Sequence, residues 1–461
     1  MTLISSISGT RGTIGGKPGE NLTPLDAVKF ASAFSSFIKK SSGQDRPSVV
    51  IGRDARPSGG WLSNIVSATL QASGVDVIDL GLSTTPTVEL AVPNLKADGG
   101  IILTASHNPV NWNALKLLNG KGEFISAEEG NILLKSIQEA EFDYVLVERT
   151  GTYTQDDSWI DKHIEMVLNY PLVDKEAIIK AQLKVAVDPV NSTGGLAIPK
   201  LLEKLGVKQV VTINGDVSGN FAHNPEPLKA HLTEISELVK SEGLDLGIVV
   251  DPDVDRLALI SENGEMFGEE YTLVAIADYY MKNKPGTTVS NLSSSRALKD
   301  ITSAAGEKYF ASAVGEVNVV VKMKETNAVI GGEGNGGIII PDFHYGRDSL
   351  IGIALFLSHI ARTGVPMSTL RNGYPHYEMA KNKIELRPGM NPDEIIGKMK
   401  ERYTAEESND VDGLKIDFEH GWVHLRKSNT EPIIRIYTES ESAASANELA
   451  QRIEQEIESL I

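Results

Sequence analysis

Short apolar runs rich in β-branched residues recur along this chain. Each closes in a polar or glycine-rich loop before a helix-like stretch begins. Ser48–Arg53 reads as a strand ending in a polar turn, and Trp61–Ser73 as the helix after it. Val75–Leu80 and Gly100–Leu103 follow as strands. Leu183–Val187 leads through the turn Asp188–Gly195 into a helix from Leu196, and Thr287–Leu292 leads into a helix from Ser295. Strands alternating with helices imply an α/β architecture. A weak threefold pattern lies over this one. Gly99–Pro109, Leu246–Arg256 and Asn327–Gly337 are each an apolar strand closing in an unusual loop. In open α/β sheets ligands bind beyond the carboxyl ends of strands, so three such loops would converge on one cleft. The last quarter differs. Tyr377–Arg387, Leu414–Phe418, Trp422–Arg426 and Ile433–Thr438 read as strands and Glu441–Ile461 as an amphipathic helix, which suggests a smaller α+β domain. The expected division is 1–150, 151–256, 257–370 and 371–461.

A length of 461 residues fits about three domains with ample core. The absence of cysteine excludes disulfides, thiolate ligands and a cysteine nucleophile, and fits a reducing compartment. The opening MTLISSISGTRG has no secretory pattern, and no apolar run reaches the roughly 20 residues of a membrane span. The expectation is a cytoplasmic protein without membrane partners. A net charge of −18 argues against nucleic-acid binding, although local arginines and amides can still hold a phosphate.

The loop Asp251-Pro-Asp253-Val-Asp255-Arg256 places three carboxylates at alternate positions directly after the strand Leu246–Val250. Hard divalent cations seek such oxygens, and a bound cation resolves the cost of burying three of them. The spacing mimics a calcium loop, with Glu262 at its twelfth position, but Arg256 stands where that loop needs glycine. The loop also suits an aspartyl-phosphate enzyme. Thr104-Ala-Ser106-His107-Asn108-Pro109 offers a serine with a neighbouring histidine, which on local chemistry alone reads as a hydrogen-bonded turn. Gly331–Gly337 offers backbone amides with Glu333 and Asn335, a set suited to sugar hydroxyls, and on local chemistry reads equally as a plain glycine turn. Arg426, Ser428, Asn429, Thr430 and Arg435 join two guanidinium forks to small donors, which matches a phosphate dianion better than the alternative, a polar hairpin turn with surface arginines.

Taken in order, these motifs resemble the α-D-phosphohexomutase superfamily over essentially the whole chain. The carriers are Ser8–Gly12, Thr104–Pro109 with Asn113 and Lys116 downstream, Asp251–Arg256, Gly332–Gly337 and Arg426–Arg435. The resemblance implies four domains around a central cleft, three similar α/β units plus a smaller C-terminal α+β domain that grips phosphate. It implies a phosphoserine at Ser106. One magnesium ion per chain would sit on Asp251, Asp253, Asp255 and a phosphate oxygen of Ser106. Arg11, His107, Lys116 and Arg256 would surround the transferring phosphoryl group, with either Lys116 or His107 moving the proton. Glu333, Gly334 and Asn335 would bind the sugar, and Arg426, Ser428, Asn429, Thr430 and Arg435 its far phosphate. The small-molecule partner would be a phosphosugar, with glucose- or glucosamine-1,6-bisphosphate as activator.

Within the superfamily the sequence is most like phosphoglucosamine mutases and phosphomannomutases. Asn335 stands where many mannose and glucose enzymes have serine, and Val320 where bifunctional ones carry lysine. The expectation is therefore interconversion of glucosamine 6-phosphate and glucosamine 1-phosphate, with mannose and glucose phosphates next. A phosphatase using Asp251 or Asp253 as nucleophile would leave Ser106 and Arg426–Arg435 idle. A non-catalytic sugar-phosphate binding protein would not need Ser106, Lys116 and the three aspartates together.

Overall fold

The structure is a computed structural model, and it describes residues 2–6, 9–139, 142–387, 390–428 and 432–460. The chain divides into two compact units, one of Met1–Thr272 with Gly336–Ser368 and one of Leu273–Asn335 with Thr369–Ile461.

The first unit is built on two sheets. In the larger one Ser48–Arg53 lies in the middle, parallel to Asp76–Leu82 on one side and to Gly99–Leu103 on the other. The chain then turns back, so Trp112–Asn119 runs antiparallel to Gly99–Leu103, and Gly9–Thr13 antiparallel to Trp112–Asn119. Gly99–Leu103 is buried throughout, with Ile101 and Leu103 facing one apolar core and Ile102 the other. That accounts for its continuous apolar run. Helices Pro24–Ser42 and Gly59–Ala72 cover the first face and Thr85–Asn94 the second.

The smaller sheet sets Leu246–Val250 beside Lys184–Asp188 in parallel, with Leu257–Ser261 returning antiparallel. The hairpin of Gly337–Ile340 and His344–Arg347 follows later in the chain. It hands over to helix Ser349–Thr363, whose first amides are capped by the Asp348 carboxylate at 2.8 Å from Leu350 N. Helices Gly59–Ala72 and Gly194–Leu205 start two residues before the positions expected from sequence. Both open on glycine pairs, whose poor helix propensity hides a first turn from a periodicity reading.

In the second unit Thr288–Asn291 lies between Tyr309–Ser312 and Ile330–Glu333, all parallel, with helices Ala297–Ala304 and Glu316–Thr326. The last quarter is an antiparallel sheet ordered Glu378–Glu385, Ile433–Ser440, Gly421–Lys427, Leu414–Phe418, Glu407–Asn409. Ile395 and Met399 of helix Pro392–Arg402 and Ile453 and Ile457 of helix Ala443–Glu458 join its apolar core. The expected α/β units and α+β end are thus present. No helix among the described residues is long and apolar enough to cross a membrane.

Candidate active site

Two strands of the first unit deliver the candidate loops. Gly99–Leu103 ends in the Ser106 loop and Leu246–Val250 in the aspartate loop, and these loops meet. Ser106 Oγ donates to Asp251 Oδ2 at 2.7 Å. Each loop turns through a non-glycine residue in the left-handed region, Ser106 at φ 48° and Val254 at φ 65°. For a β-branched valine this conformation is costly and persists only where the surroundings impose it. Asp251 Oδ1 imposes it in part, accepting the amides of both Asp255 and Arg256 at 3.2 Å.

Asp251, Asp253 and Asp255 are all fully buried, and each offers an oxygen within 4.8 Å of the others. Burial and the charges of Asp255 and Asp253 push the Asp251 carboxyl well above its ordinary value. Burial pushes the same way at Asp253, but Lys116 and Thr85 outweigh it and hold Asp253 below the usual carboxylate range. Asp253 Oδ1 and Asp255 Oδ1 are buried with no hydrogen-bond partner among the described residues. Such unpaired anionic oxygens, clustered with a third carboxylate, fit a hard divalent cation.

Cations ring this cluster. Lys116 Nζ donates to Asp253 Oδ2 at 2.8 Å and lies 3.7 Å from Asp255 Oδ2. Burial alone would depress Lys116, yet the two aspartates hold it above its ordinary value, so it is charged. His107 Nδ1 is 3.4 Å from Ser106 Oγ. Burial and the nearby Arg256 guanidinium push His107 down to about 3, so its ring is uncharged near pH 7. Arg256 leaves the same loop, its guanidinium 3.7 Å from Glu226. Arg11 sits on Gly9–Thr13, in register with Ala114 and two residues along from the Lys116 position on the partner strand, and its side chain is exposed. Ser8 lies outside the described residues.

Two contributors escaped the sequence reading. Arg347 Nη2 donates to Asp255 Oδ2 at 2.6 Å, and Thr85 Oγ1 to Asp253 Oδ2 at 2.6 Å. Arg347 closes a strand just before a helix cap, and nothing in its local sequence tells that it is buried. Thr85, inside a run of small polar residues, is equally unmarked.

The remaining expected residues lie in the second unit. Glu333 ends the strand Ile330–Glu333, buried, its Oε1 accepting from Asn291 Nδ2 at 2.8 Å and Gly315 N at 3.1 Å. Gly334 N donates to Ser294 Oγ at 3.0 Å, and Asn335 is partly exposed. Gly336, in the first unit, has φ 86°, and a Cβ there would sit 2.3 Å from Leu257 O, so only glycine fits. Arg426 and Arg435 are direct cross-strand partners, and Ser428 N donates to Ile433 O at 3.0 Å. The two guanidinium groups therefore stem from one hairpin, with Arg426 Nε 2.9 Å from Asp412 Oδ2. Asn429 and Thr430 lie outside the described residues.

Four family models match the chain in order. They are the phosphoglucomutase/phosphomannomutase alpha/beta/alpha domains I, II and III over residues 5–144, 161–264 and 268–377, and the C-terminal domain over 388–456. A phosphoglucomutase/phosphomannomutase of Thermococcus kodakarensis is 38% identical, with 95% of this chain and 96% of the relative covered. A phosphoglucosamine/phosphogalactosamine mutase of Sulfurisphaera tokodaii is 32% identical, covering 99% and 100%. Among solved structures, a phosphoglucomutase/phosphomannomutase family protein of Burkholderia thailandensis superposes with a TM-score of 0.83 at 27% identity, over 99% of this chain and 97% of that one.

Proposed function

The chain belongs to the phosphoglucomutase/phosphomannomutase family and is a phosphohexomutase, an isomerase, and from that premise we propose that Ser106 carries the phosphoryl group and that glucosamine phosphate is the preferred substrate. The observation that carries the first part is the 2.7 Å contact of Ser106 Oγ with Asp251, inside a cluster of three buried carboxylates, two of which keep an unpaired oxygen.

In this reading phosphoserine 106 meets the free hydroxyl of a hexose monophosphate. The bond from phosphorus to Ser106 Oγ breaks, a bond to the sugar oxygen forms, and the sugar hydroxyl gives up its proton. A hexose 1,6-bisphosphate results. It turns over and returns its other phosphoryl group to Ser106, and a bisphosphate that escapes serves as activator. Such a transfer depends on positioning and on neutralising charge. Asp251, Asp253 and Asp255, with a phosphate oxygen of Ser106, would hold magnesium, which when bound draws charge from the phosphoryl oxygens. Lys116, Arg256, Arg347 and Arg11 supply fixed positive charge around the group. The sugar hydroxyl's proton passes to Lys116 or His107, and Ser106 Oγ takes up a proton when it leaves. In the resting site the aspartates hold Lys116 protonated while burial and Arg256 hold His107 uncharged, so His107 is the one of the two with a free lone pair.

Arg426, Ser428, Asn429, Thr430 and Arg435 would hold the non-reacting phosphate. Arg435→Lys keeps the charge but loses the planar fork that meets two oxygens. Remote binding also orients the reacting end, so KM should rise and kcat fall. The combined loss in kcat/KM should be about 10- to 100-fold, the scale of a charge-assisted hydrogen bond. Steady-state kinetics checks this. Transfer from phosphorylated Ser106 to an unphosphorylated hexose should be the same in variant and wild type. An equal loss there would assign Arg435 to the fold or the chemistry instead.

Substrate choice rests on Glu333, Gly334 and Asn335. A buried carboxylate near the 2-position favours a cationic amino group over a neutral hydroxyl, by roughly ten- to a hundredfold for one charge-assisted hydrogen bond. Val320 is buried on helix Glu316–Thr326, where a lysine would bring competing charge. The 38% identical relative, named for glucose and mannose, supports a second reading in which Glu333 accepts from 3- and 4-hydroxyls. Competition among glucosamine, glucose and mannose phosphates at one magnesium concentration separates the two. The glucosamine compound should show the highest kcat/KM, and equal or better use of the mannose compound would overturn the preference.

A further inference from the structure

Arg56 and Asp54 form a fully buried ion pair, Nε to Oδ2 2.9 Å, that touches no reacting atom. Arg56 lies in the loop after Ser48–Arg53, the strand beside the one that delivers Ser106. Its guanidinium has five N–H donors, and the structure uses all five. One goes to Asp54. Nη1 serves the carbonyls of Pro109 at 2.6 Å and Trp112 at 3.1 Å. Nη2 serves those of Ser106 and, at 2.7 Å, Asn108. The far side of the guanidinium lies 4.9 Å from the Phe221 ring centroid. Gly219, two residues before that ring at φ 71°, lets its backbone pass the Ala55 carbonyl, where a Cβ would sit at 1.9 Å.

Asp54 extends the same network along a second route. It accepts the Arg56 amide at 2.9 Å and the Thr104 hydroxyl at 2.7 Å. Thr104 Oγ1 in turn accepts the Ser106 amide at 3.0 Å. The backbone of Ser106 is therefore held at both ends, its carbonyl by Arg56 and its amide by Thr104. This is the residue that sits in the left-handed region with its hydroxyl on Asp251. A serine leaves that conformation unless something fixes it, and in-line phosphoryl transfer tolerates little displacement.

We infer that Arg56, Asp54 and Thr104 are positioning residues: a buried clamp that holds the Ser106 backbone in its left-handed turn and so aims the phosphoryl-bearing oxygen at the reacting sugar. The inference rests on the reading of Ser106 as phosphoryl carrier. The geometry also defines its range. The clamp acts on the serine and leaves sugar binding alone, so its loss should appear in kcat and spare KM.

Thr104→Val tests it, since valine keeps the shape and removes the hydroxyl that links Asp54 to the Ser106 amide. Turnover is measured with glucosamine 1-phosphate and, in parallel, glucose 1-phosphate. The expected result is a fall in kcat of about 10- to 100-fold with KM within about threefold of wild type. Single-turnover transfer from phosphorylated Ser106 should slow by the same factor, and Thr104→Ser should restore both. Arg56→Lys, which keeps the charge and loses the fork, should show the same split at a circular-dichroism spectrum equal to wild type. A Thr104→Val enzyme that melts earlier but keeps its kcat would overturn the clamp. So would a loss confined to KM, or one that serine fails to rescue. Full activity of Thr104→Val beside a dead Ser106→Ala removes this inference alone, whereas an active Ser106→Ala removes the reading beneath it.

Discussion

Ser106→Ala should lose mutase turnover by about 10³-fold or more, because the proposed reaction then has no serine oxygen to carry the phosphoryl between the two ends of the sugar. The substitution deletes one oxygen from a nearly buried residue and disturbs no apolar core. Its structural cost is the hydrogen bond to Asp251, a change of about 1–2 kcal/mol. Thermal melting close to wild type, together with absent turnover for glucosamine, glucose and mannose phosphates, is the expected pair of results. Near-normal turnover in the alanine variant would exclude Ser106 from the chemistry.

Asp253→Asn should produce the second-largest loss. The substitution removes one of three charges offered to the metal and breaks the partnership that keeps Lys116 protonated. Asn keeps one oxygen acceptor, so Thr85 Oγ1 and Lys116 Nζ still have a polar neighbour and the loop should fold. Turnover at saturating magnesium should fall by about 10²-fold, and the magnesium concentration for half-maximal activity should rise by about tenfold or more. Direct magnesium titration by calorimetry should show the same weakening without substrate. An unchanged magnesium dependence across Asp251→Asn, Asp253→Asn and Asp255→Asn would remove the aspartate loop from metal binding.

The parts of this site that were legible in the sequence are those where one short segment carries both the strand and its chemistry. Leu246–Val250 followed by three alternating aspartates needs no tertiary information, because the apolar run declares burial and buried carboxylates demand a partner. Ser106 was less legible on local grounds. A serine beside histidine and asparagine reads equally as a turn, and only the order of motifs along the chain raised it. Arg56 and Asp54 follow an apolar strand in Arg53-Asp54-Ala55-Arg56, a charged cluster where the chain should still be close to the core. Charges placed so near a core must pair, and that much is in the sequence. Arg347 and Thr85 reach the aspartates across 92 and 168 residues of sequence, distances over which spacing carries no information. The strand Trp112–Asn119, which brings Lys116 to the site, was hidden for a related reason. Its apolar residues do not alternate, since Ala114, Leu115, Leu117 and Leu118 are buried on both faces.

The central claim is that a covalent phosphate resides on Ser106 and exchanges with sugar phosphate. Intact-mass spectrometry of the purified protein, followed by peptide mapping, reads this directly. Treatment with glucose 1,6-bisphosphate should add the mass of one phosphoryl group, mapped to Ser106. Subsequent glucosamine 1-phosphate should remove it, with bisphosphate appearing in equal amount. A phosphoryl group mapped to Asp251 or Asp253, or a protein that turns over substrate while Ser106 never carries phosphate, would contradict the account.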